Sequence, residues 1–83
     1  MYYQTALAYE AADNIDKAIS NHLKALSCNE NFHPSYKKLG LLFMSRGDID
    51  SAVEYFTDYL NFDLPSDEKK NIEDLIKRIE NRV

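Results

Sequence analysis

The chain repeats its own residue pattern at a spacing of 34 residues along its 83 residues. The positions that recur unchanged at that spacing are Tyr2 as Tyr36, Leu7 as Leu41, Ile15-Asp16 as Ile49-Asp50, Ala18 as Ala52 and Leu26 as Leu60. Similar residues fill the intervals, as when Tyr9 recurs as Phe43. A repeat of this length predicts helical units stacked side by side, which usually work by holding a partner on their surface.

Size and composition limit the chain to one small domain of marginal stability. Two glycines and two prolines leave few sharp turns, which favours helices joined by short connections. The net charge of −4 and the lack of a basic segment predict no binding to nucleic acid, because a phosphate backbone would be repelled. The apolar runs are too short to cross a bilayer, so we expect no membrane insertion.

The cysteine content and the first residues of the sequence predict a cytoplasmic location. The single cysteine, Cys28, has no partner for an internal disulfide, and nothing indicates an oxidising compartment. The segment Met1 to Gln4 has neither the basic start nor the apolar core of a signal peptide, so any leader would have lain upstream of it.

Helical periodicity, together with residues that commonly start or end helices, predicts five helices and no strand. The predicted ranges are roughly 2–12, 15–28, 34–46, 49–62 and 66–82. Asn14, Asp48 and Ser66 are predicted to cap the helices that follow them, and Pro34 suits a first helical turn. Asp13 and Asn14 both tolerate the left-handed conformation that ends a helix, and Gly47 stands where such a residue is wanted. The last helix has a narrow apolar stripe, consisting of Ile72, Leu75, Ile76 and Ile79.

The second unit has a motif of defined spacing, which reads Tyr36-x2-Leu39-Gly40-x2-Phe43, then Gly47-Asp48, then Ala52-x3-Phe56. With this motif the unit resembles a tetratricopeptide repeat. The first unit matches less closely, with Thr5 in place of leucine and His22 in place of an aromatic residue. The second unit has Tyr59 where a small residue is usual, and Pro65 comes one residue late.

The resemblance implies an all-α solenoid of helix-turn-helix repeats. Repeat 1 would span about 1–32, repeat 2 about 33–65 and a capping helix about 66–82, all within a single domain. Gly40 and the small residues Ala6, Ala18 and Ala52 would let the helices of a unit approach closely, with aromatic side chains filling the space around them.

The resemblance also implies a concave groove, lined by the first helix of each unit, that takes a partner peptide. The corresponding positions are Tyr3, Leu7 and Glu10, then Lys37, Leu41 and Met44, then Asn71, Leu75 and Arg78. The apolar members lie off the stripe that packs the units, so the array itself is not expected to need them apolar, and exposed apolar residues in a row mark interaction surfaces. The alternative is that these are scattered surface residues or, for Leu75, part of the packing of the cap. A subgroup of the family clamps a terminal carboxylate, but Leu7 stands where that subgroup has asparagine, so we do not expect this clamp.

Residue types that carry catalysis or bind metal occur only in arrangements with simpler explanations. His22 is interpreted as a replacement for a core aromatic residue, and His33 as a solvated linker residue. Cys28 has no basic neighbour in sequence to lower its pKa, so we interpret it as an unreactive thiol at a helix end. The acidic pairs Asp13/Asp16 and Asp48/Asp50 fit helix starts better than acid–base catalysis or calcium binding. We therefore expect no enzyme activity, no cofactor and no metal.

These observations predict a non-catalytic module that binds another protein or peptide in the groove. The ligand is expected to be apolar with some acidic character, because Lys37, Lys38 and Arg78 are available to meet an acidic group. The alternative is a structural fragment of a longer repeat array, or a weak homodimer, that stacks through an uncapped N-terminal face near Tyr2, Tyr3 and Ala6. Two units and a cap fall short of the ~3 repeats that such arrays usually need, which keeps this alternative open.

Overall fold

A computed structural model describes residues 2–81, which form five α-helices and no strand. The helices are α1 (Tyr2–Ala11), α2 (Ile15–Cys28), α3 (His33–Ser45), α4 (Ile49–Leu60) and α5 (Ser66–Glu80). The predicted all-α class and the order of the helices are confirmed, and the described helix ends lie within two residues of the predicted ones. The predicted end of the last helix at residue 82 lies outside the described residues.

The 34-residue repeat extends to the backbone of the turns that end α1 and α3. Asp13 and Gly47 both have positive φ, of 62° and 84°. The amide of the next residue then donates back to the helix, from Asn14 N to Tyr9 O at 2.8 Å and from Asp48 N to Phe43 O at 2.9 Å. This closure of a helix end by a left-handed residue and a long backward bond therefore occurs twice, at equivalent positions.

Side-chain caps start the helix after each of these turns. Asn14 Oδ1 accepts from Lys17 N at 3.4 Å, and Asp48 Oδ1 accepts from Ser51 N at 3.3 Å. Both predicted caps are confirmed. The predicted cap at Ser66 is wrong, because Pro65 holds the N-cap position with extended backbone and Ser66 is already the first residue of α5.

Each helix packs mainly on its neighbours along the chain, so that α1 and α2 form a first helical hairpin and α3 and α4 a second. One buried cluster joins α2 to α3 through Ala18, Ile19, Leu39 and Leu42. The second cluster, which we call the C-terminal core, joins α4 to α5 through Ala52, Phe56, Tyr59, Leu64, Ile72 and Ile79. Because every helix buries one face on the next, the packing is that of a helical repeat fold.

Small residues stand at the closest approaches between helices, as predicted. Ala6, Ala18 and Ala52 are fully buried. A Cβ added to Gly40 would lie 2.5 Å from Cε1 of Phe56, closer than carbon atoms can approach. The absence of a side chain at Gly40 therefore sets the spacing between α3 and α4. The narrow stripe of α5 is also confirmed, with Ile72 and Ile79 buried and Leu75 and Ile76 half-buried.

Candidate functional site

The candidate groove residues fall on the first helix of each hairpin and on α5, in three sets related by the 34-residue spacing. Leu7, Leu41 and Leu75 occupy one equivalent position on α1, α3 and α5, and all three are half-buried. The remaining positions are Tyr3, Lys37 and Asn71, and Glu10, Met44 and Arg78. Asn71 and Arg78 are exposed, and the other four are half-buried. Each of the nine side chains thus keeps some surface open to solvent.

Three of the apolar groove candidates also help to hold the fold together. Leu41, Met44 and Leu75 pack against the C-terminal core. The expectation that the array does not need them apolar is therefore wrong, because α3 and α5 use these side chains to cover the buried face of α4. Leu7 differs from them, since it belongs to neither of the two buried clusters. Among the apolar candidates Leu7 is the cleanest probe of binding.

Lys37, another candidate groove residue, forms an ion pair with Glu68 on α5. Its Nζ donates to Glu68 Oε2 at 2.8 Å, and the Tyr59 hydroxyl donates to the same oxygen at 2.7 Å. The hydrogen bond from Lys37, followed by that from Tyr59, lowers the pKa of the Glu68 carboxyl group below its usual value. Burial, reinforced by Glu68, raises the pKa of Tyr59 to about 12. The shared carboxylate joins α3, α4 and α5, and it provides a hydrogen-bond partner for the hydroxyl of the buried Tyr59.

Glu10 is likewise bonded within the chain. Its Oε2 lies 2.7 Å from Nε2 of His22, and its Oε1 lies 4.0 Å from Nζ of Lys38. His22 is fully buried, and the Tyr3 ring lies 5.3 Å from its ring, so it does occupy the place of a core aromatic residue. The other ring nitrogen, Nδ1, is buried and has no hydrogen-bond partner among residues 2–81. The sequence does not show the bond to Glu10, because the two residues are 12 positions apart on different helices.

The other candidates for chemistry are exposed to solvent, and two of them serve in an ion pair or a helix cap. Cys28 is an exposed free thiol at the end of α2, and His33 is exposed at the start of α3. Asp16 pairs with Arg46 at 3.3 Å, and Asp48 caps α4. Within residues 2–81 no three His, Cys, Asp or Glu side chains are grouped so that they could hold a metal ion.

One further feature, a cleft at the end of the first hairpin, was not predicted. It has a volume of about 220 Å³ and lies where the start of α1 meets the end of α2 and the connection to α3. Its lining is almost wholly apolar and consists of Tyr2, Tyr3, Ala25, Cys28, Asn29 and Phe32. Tyr3 lies in this lining and is also a candidate groove residue, so the cleft adjoins the N-terminal end of the candidate groove.

No protein-family model matches the chain. The chain is similar to the Photosystem I assembly protein Ycf3 of Acaryochloris marina, strain MBIC 11017, with 34% identity over 58 residues. The alignment covers 66% of this chain and 35% of the relative, so the chain spans about a third of the relative's length. This similarity and the five helices of residues 2–81 are consistent with a fold of the tetratricopeptide type.

No helix in the described part of the chain is both long and apolar enough to span a bilayer. The cytoplasmic location stays a prediction.

Proposed function

We propose that the chain is a non-catalytic protein-interaction module that binds an extended segment of a partner protein across α1, α3 and α5. In this proposal it consists of two tetratricopeptide-like units, 1–32 and 33–65, and a capping helix, 66–82. The segment lies in the groove formed by the nine candidate residues.

The observation that carries the proposal is the row formed by Leu7, Leu41 and Leu75. These leucines are 34 residues apart, lie on α1, α3 and α5 respectively, and all keep part of their surface accessible. Apolar residues that recur at one repeat position and stay accessible give a bound chain a regular series of contacts. Met44 extends the apolar surface on α3 with a flexible side chain that adapts to different partners.

The charged groove residues contribute less than their number suggests. Lys37 is already paired with Glu68, and Glu10 is already bonded to His22. Of the two candidate groove cations, Lys37 and Arg78, Arg78 on α5 is the exposed one. We therefore expect the ligand to be held mainly by apolar contacts, with one acidic group that meets Arg78 at the end of the groove near α5.

The similarity to an assembly protein supports a role of the same general kind. The relative is named as an assembly protein of photosystem I. Holding protein subunits or segments during assembly requires a binding surface and no catalytic centre, which fits a helical repeat. Because the chain spans about a third of that relative, we carry over only this general role and not its particular partner.

The experiment is a selection of peptides from a displayed random library on the 83-residue chain, followed by affinity measurements on two matched variants. Leu7→Glu places a charge in the groove without touching either buried cluster. Leu23→Glu makes the same change on α2, at a leucine that is 41% exposed and lies outside the groove. We expect Leu7→Glu to weaken the selected peptide by at least about tenfold, or ~1.4 kcal/mol, and Leu23→Glu to leave its Kd unchanged.

Equal effects of the two variants, or no selected peptide at all, would contradict the proposal. Thermal melts of both variants serve as the control, since a loss of binding counts only if Leu7→Glu stays folded at the temperature of the assay.

A second candidate function is self-assembly through the N-terminal face. Tyr2 is 43% exposed there and borders the apolar cleft, which favours contact with another copy or with a further repeat. A comparison with the interface between α2 and α3 argues against self-assembly. Leu39 and Leu42 are buried in that interface, but the equivalent residues on α1 are Thr5 and Ala8, which are exposed and offer less apolar surface. Sedimentation over a concentration series separates the candidates: a mass that rises from one chain to two supports self-assembly, and a constant mass excludes it.

A further inference from the structure

The first hairpin has an open cleft at its end, whereas the equivalent place in the second hairpin is filled by that hairpin's own side chains. Ala25 and Cys28, on one side of the cleft, correspond at the 34-residue spacing to Tyr59 and Phe62. Tyr2, on the other side, corresponds to Tyr36. In the second hairpin the Phe62 ring packs 5.2 Å from the Tyr36 ring, and Tyr59 is only 5% exposed.

The internal repeat therefore indicates which chemical group fits the empty place. Aromatic side chains occupy the second hairpin where the first has a methyl group and a thiol. The first hairpin lacks the rings of Tyr59 and Phe62. Its own additional rings, Tyr3 and Phe32 at the positions of Lys37 and Ser66, line the cleft and leave it open. An aromatic ring from another molecule would therefore match, in the first hairpin, the packing that Tyr59 and Phe62 provide in the second.

The size and walls of the cleft agree with this assignment. An apolar protein cavity of ~150 Å³ can bind benzene, so a cleft of about 220 Å³ accommodates one aromatic side chain. Tyr3 and Phe32 already meet edge to face in its wall, with their ring centroids 4.9 Å apart. A third ring can add the offset or edge contacts that aromatic pairs favour.

A positive charge next to the cleft favours a ligand that also carries a carboxylate. The exposed side chain of Lys24 places its Nζ 5.9 Å from the centroid of the Tyr2 ring, which is itself part of the lining. An ammonium group beside an apolar cleft attracts a carboxylate that follows or precedes the inserted ring.

From these observations we propose that the cleft binds one aromatic side chain of the partner segment, with an acidic residue next to it in sequence held near Lys24. Tyr3 belongs both to this cleft and to the groove, so the ring would anchor the end of the segment that lies along α1. The inference rests on the proposed function, because the same partner segment occupies both sites.

The test uses the 83-residue chain and the probe N-acetyl-aspartyl-phenylalaninamide, with N-acetyl-aspartyl-alaninamide as the control ligand. Binding is followed by NMR shifts of the lining residues and by the rate at which iodoacetamide alkylates Cys28, the only cysteine of the chain. We expect saturable shifts with a Kd on the order of 1 mM for the phenylalanine probe, and alkylation slowed several-fold at saturation. The alanine probe should cause neither effect.

Matched variants test where the probe binds. Cys28→Phe introduces the ring that the second hairpin has at Phe62 and should abolish binding, whereas Cys28→Ser should preserve it. Cys28 is exposed, so neither change threatens the fold. Lys24→Gln should weaken the probe several-fold, and it should do so less for N-acetyl-phenylalaninamide, which lacks the carboxylate.

The outcomes separate this proposal from the groove. Equal binding of both dipeptides, or binding that survives Cys28→Phe, overturns the aromatic cleft. If the phenylalanine probe fails while library peptides remain sensitive to Leu7→Glu, the cleft proposal falls and the groove stands. If sedimentation shows a dimer and Cys28→Phe dissociates it, a second copy is the occupant and the cleft proposal is overturned.

Discussion

The ring of Phe56 lies directly against the backbone of Gly40, so that no side chain fits between α3 and α4 at this point. A Cβ built on Gly40 would lie 2.5 to 2.8 Å from three atoms of the Phe56 ring. Phe56 is fully buried, so its ring has no solvent space into which it can turn. The second hairpin thus depends on one contact between a glycine and an aromatic residue.

Gly40→Ala is therefore predicted to destabilise the chain although alanine favours helices. The gain in helix propensity is ~1 kcal/mol, whereas overpacking a closed contact costs ~1–3 kcal/mol. We expect a net loss of roughly 1 kcal/mol in the free energy of unfolding, measured with urea. Ser45→Ala, at an exposed position of the same helix, is the control for propensity alone. A stabilised Gly40→Ala variant would contradict the packing described here.

Asp13→Gly is predicted to stabilise the chain slightly. Asp13 has φ of 62°, and its equivalent in the second hairpin, at φ 84°, is already a glycine, Gly47. A left-handed conformation costs a residue with a side chain ~1–2 kcal/mol, and less for aspartate. Glycine avoids this cost, but it also raises the conformational entropy of the unfolded state, which offsets part of the gain. We expect a net gain of about 0.5 kcal/mol in urea unfolding. The converse change, Gly47→Ala, should destabilise by ~1 kcal/mol, and a loss of stability in Asp13→Gly would show that its side chain has another role.

Acid is predicted to weaken the contact among Lys37, Tyr59 and Glu68. The pKa of Glu68 is lower in the folded chain than in the unfolded chain, mainly because Lys37 donates to its carboxylate. The stabilisation is therefore complete above the unfolded value of about 4.3 and is lost as the pH falls through the folded pKa. Glu68→Gln should cost about 1 kcal/mol at pH 7, and this difference from the wild type should shrink toward pH 3.

Glu73→Gln, at an exposed position of the same helix, provides the control. Urea midpoints from pH 7 to pH 3 give the comparison. If the difference between the wild type and Glu68→Gln is constant over that range, the carboxylate does not carry the contact.

Local signals predicted the helices well because the residues that start and stop them act over a few positions. Asn14 and Asp48 accept the first amides, and Asp13 and Gly47 end the preceding helices, all within one turn. Ser66 was mistaken for a cap because serine commonly caps, whereas Pro65 has the fixed φ and extended backbone that the position requires.

The contacts within the candidate site could not be predicted in this way. Glu10 meets His22, and Lys37 meets Glu68 from 31 positions away, only because packed helices bring these side chains together. No periodicity identifies such pairs in a single sequence. The open cleft did have a signal in the sequence, since Ala25 and Cys28 are small where Tyr59 and Phe62 are large, but only the structure shows that these positions face Tyr2 and Phe32.

The most direct measurement is an NMR titration of the labelled 83-residue chain with a peptide selected on it. If the peptide binds in the groove, the largest changes in chemical shift occur at the 34-residue spacing, at Leu7 on α1, Leu41 on α3 and Leu75 on α5. The shifts of Leu23 on α2 should not change. Shifts confined to α2 and α4, with the three leucines unaffected, would contradict the account.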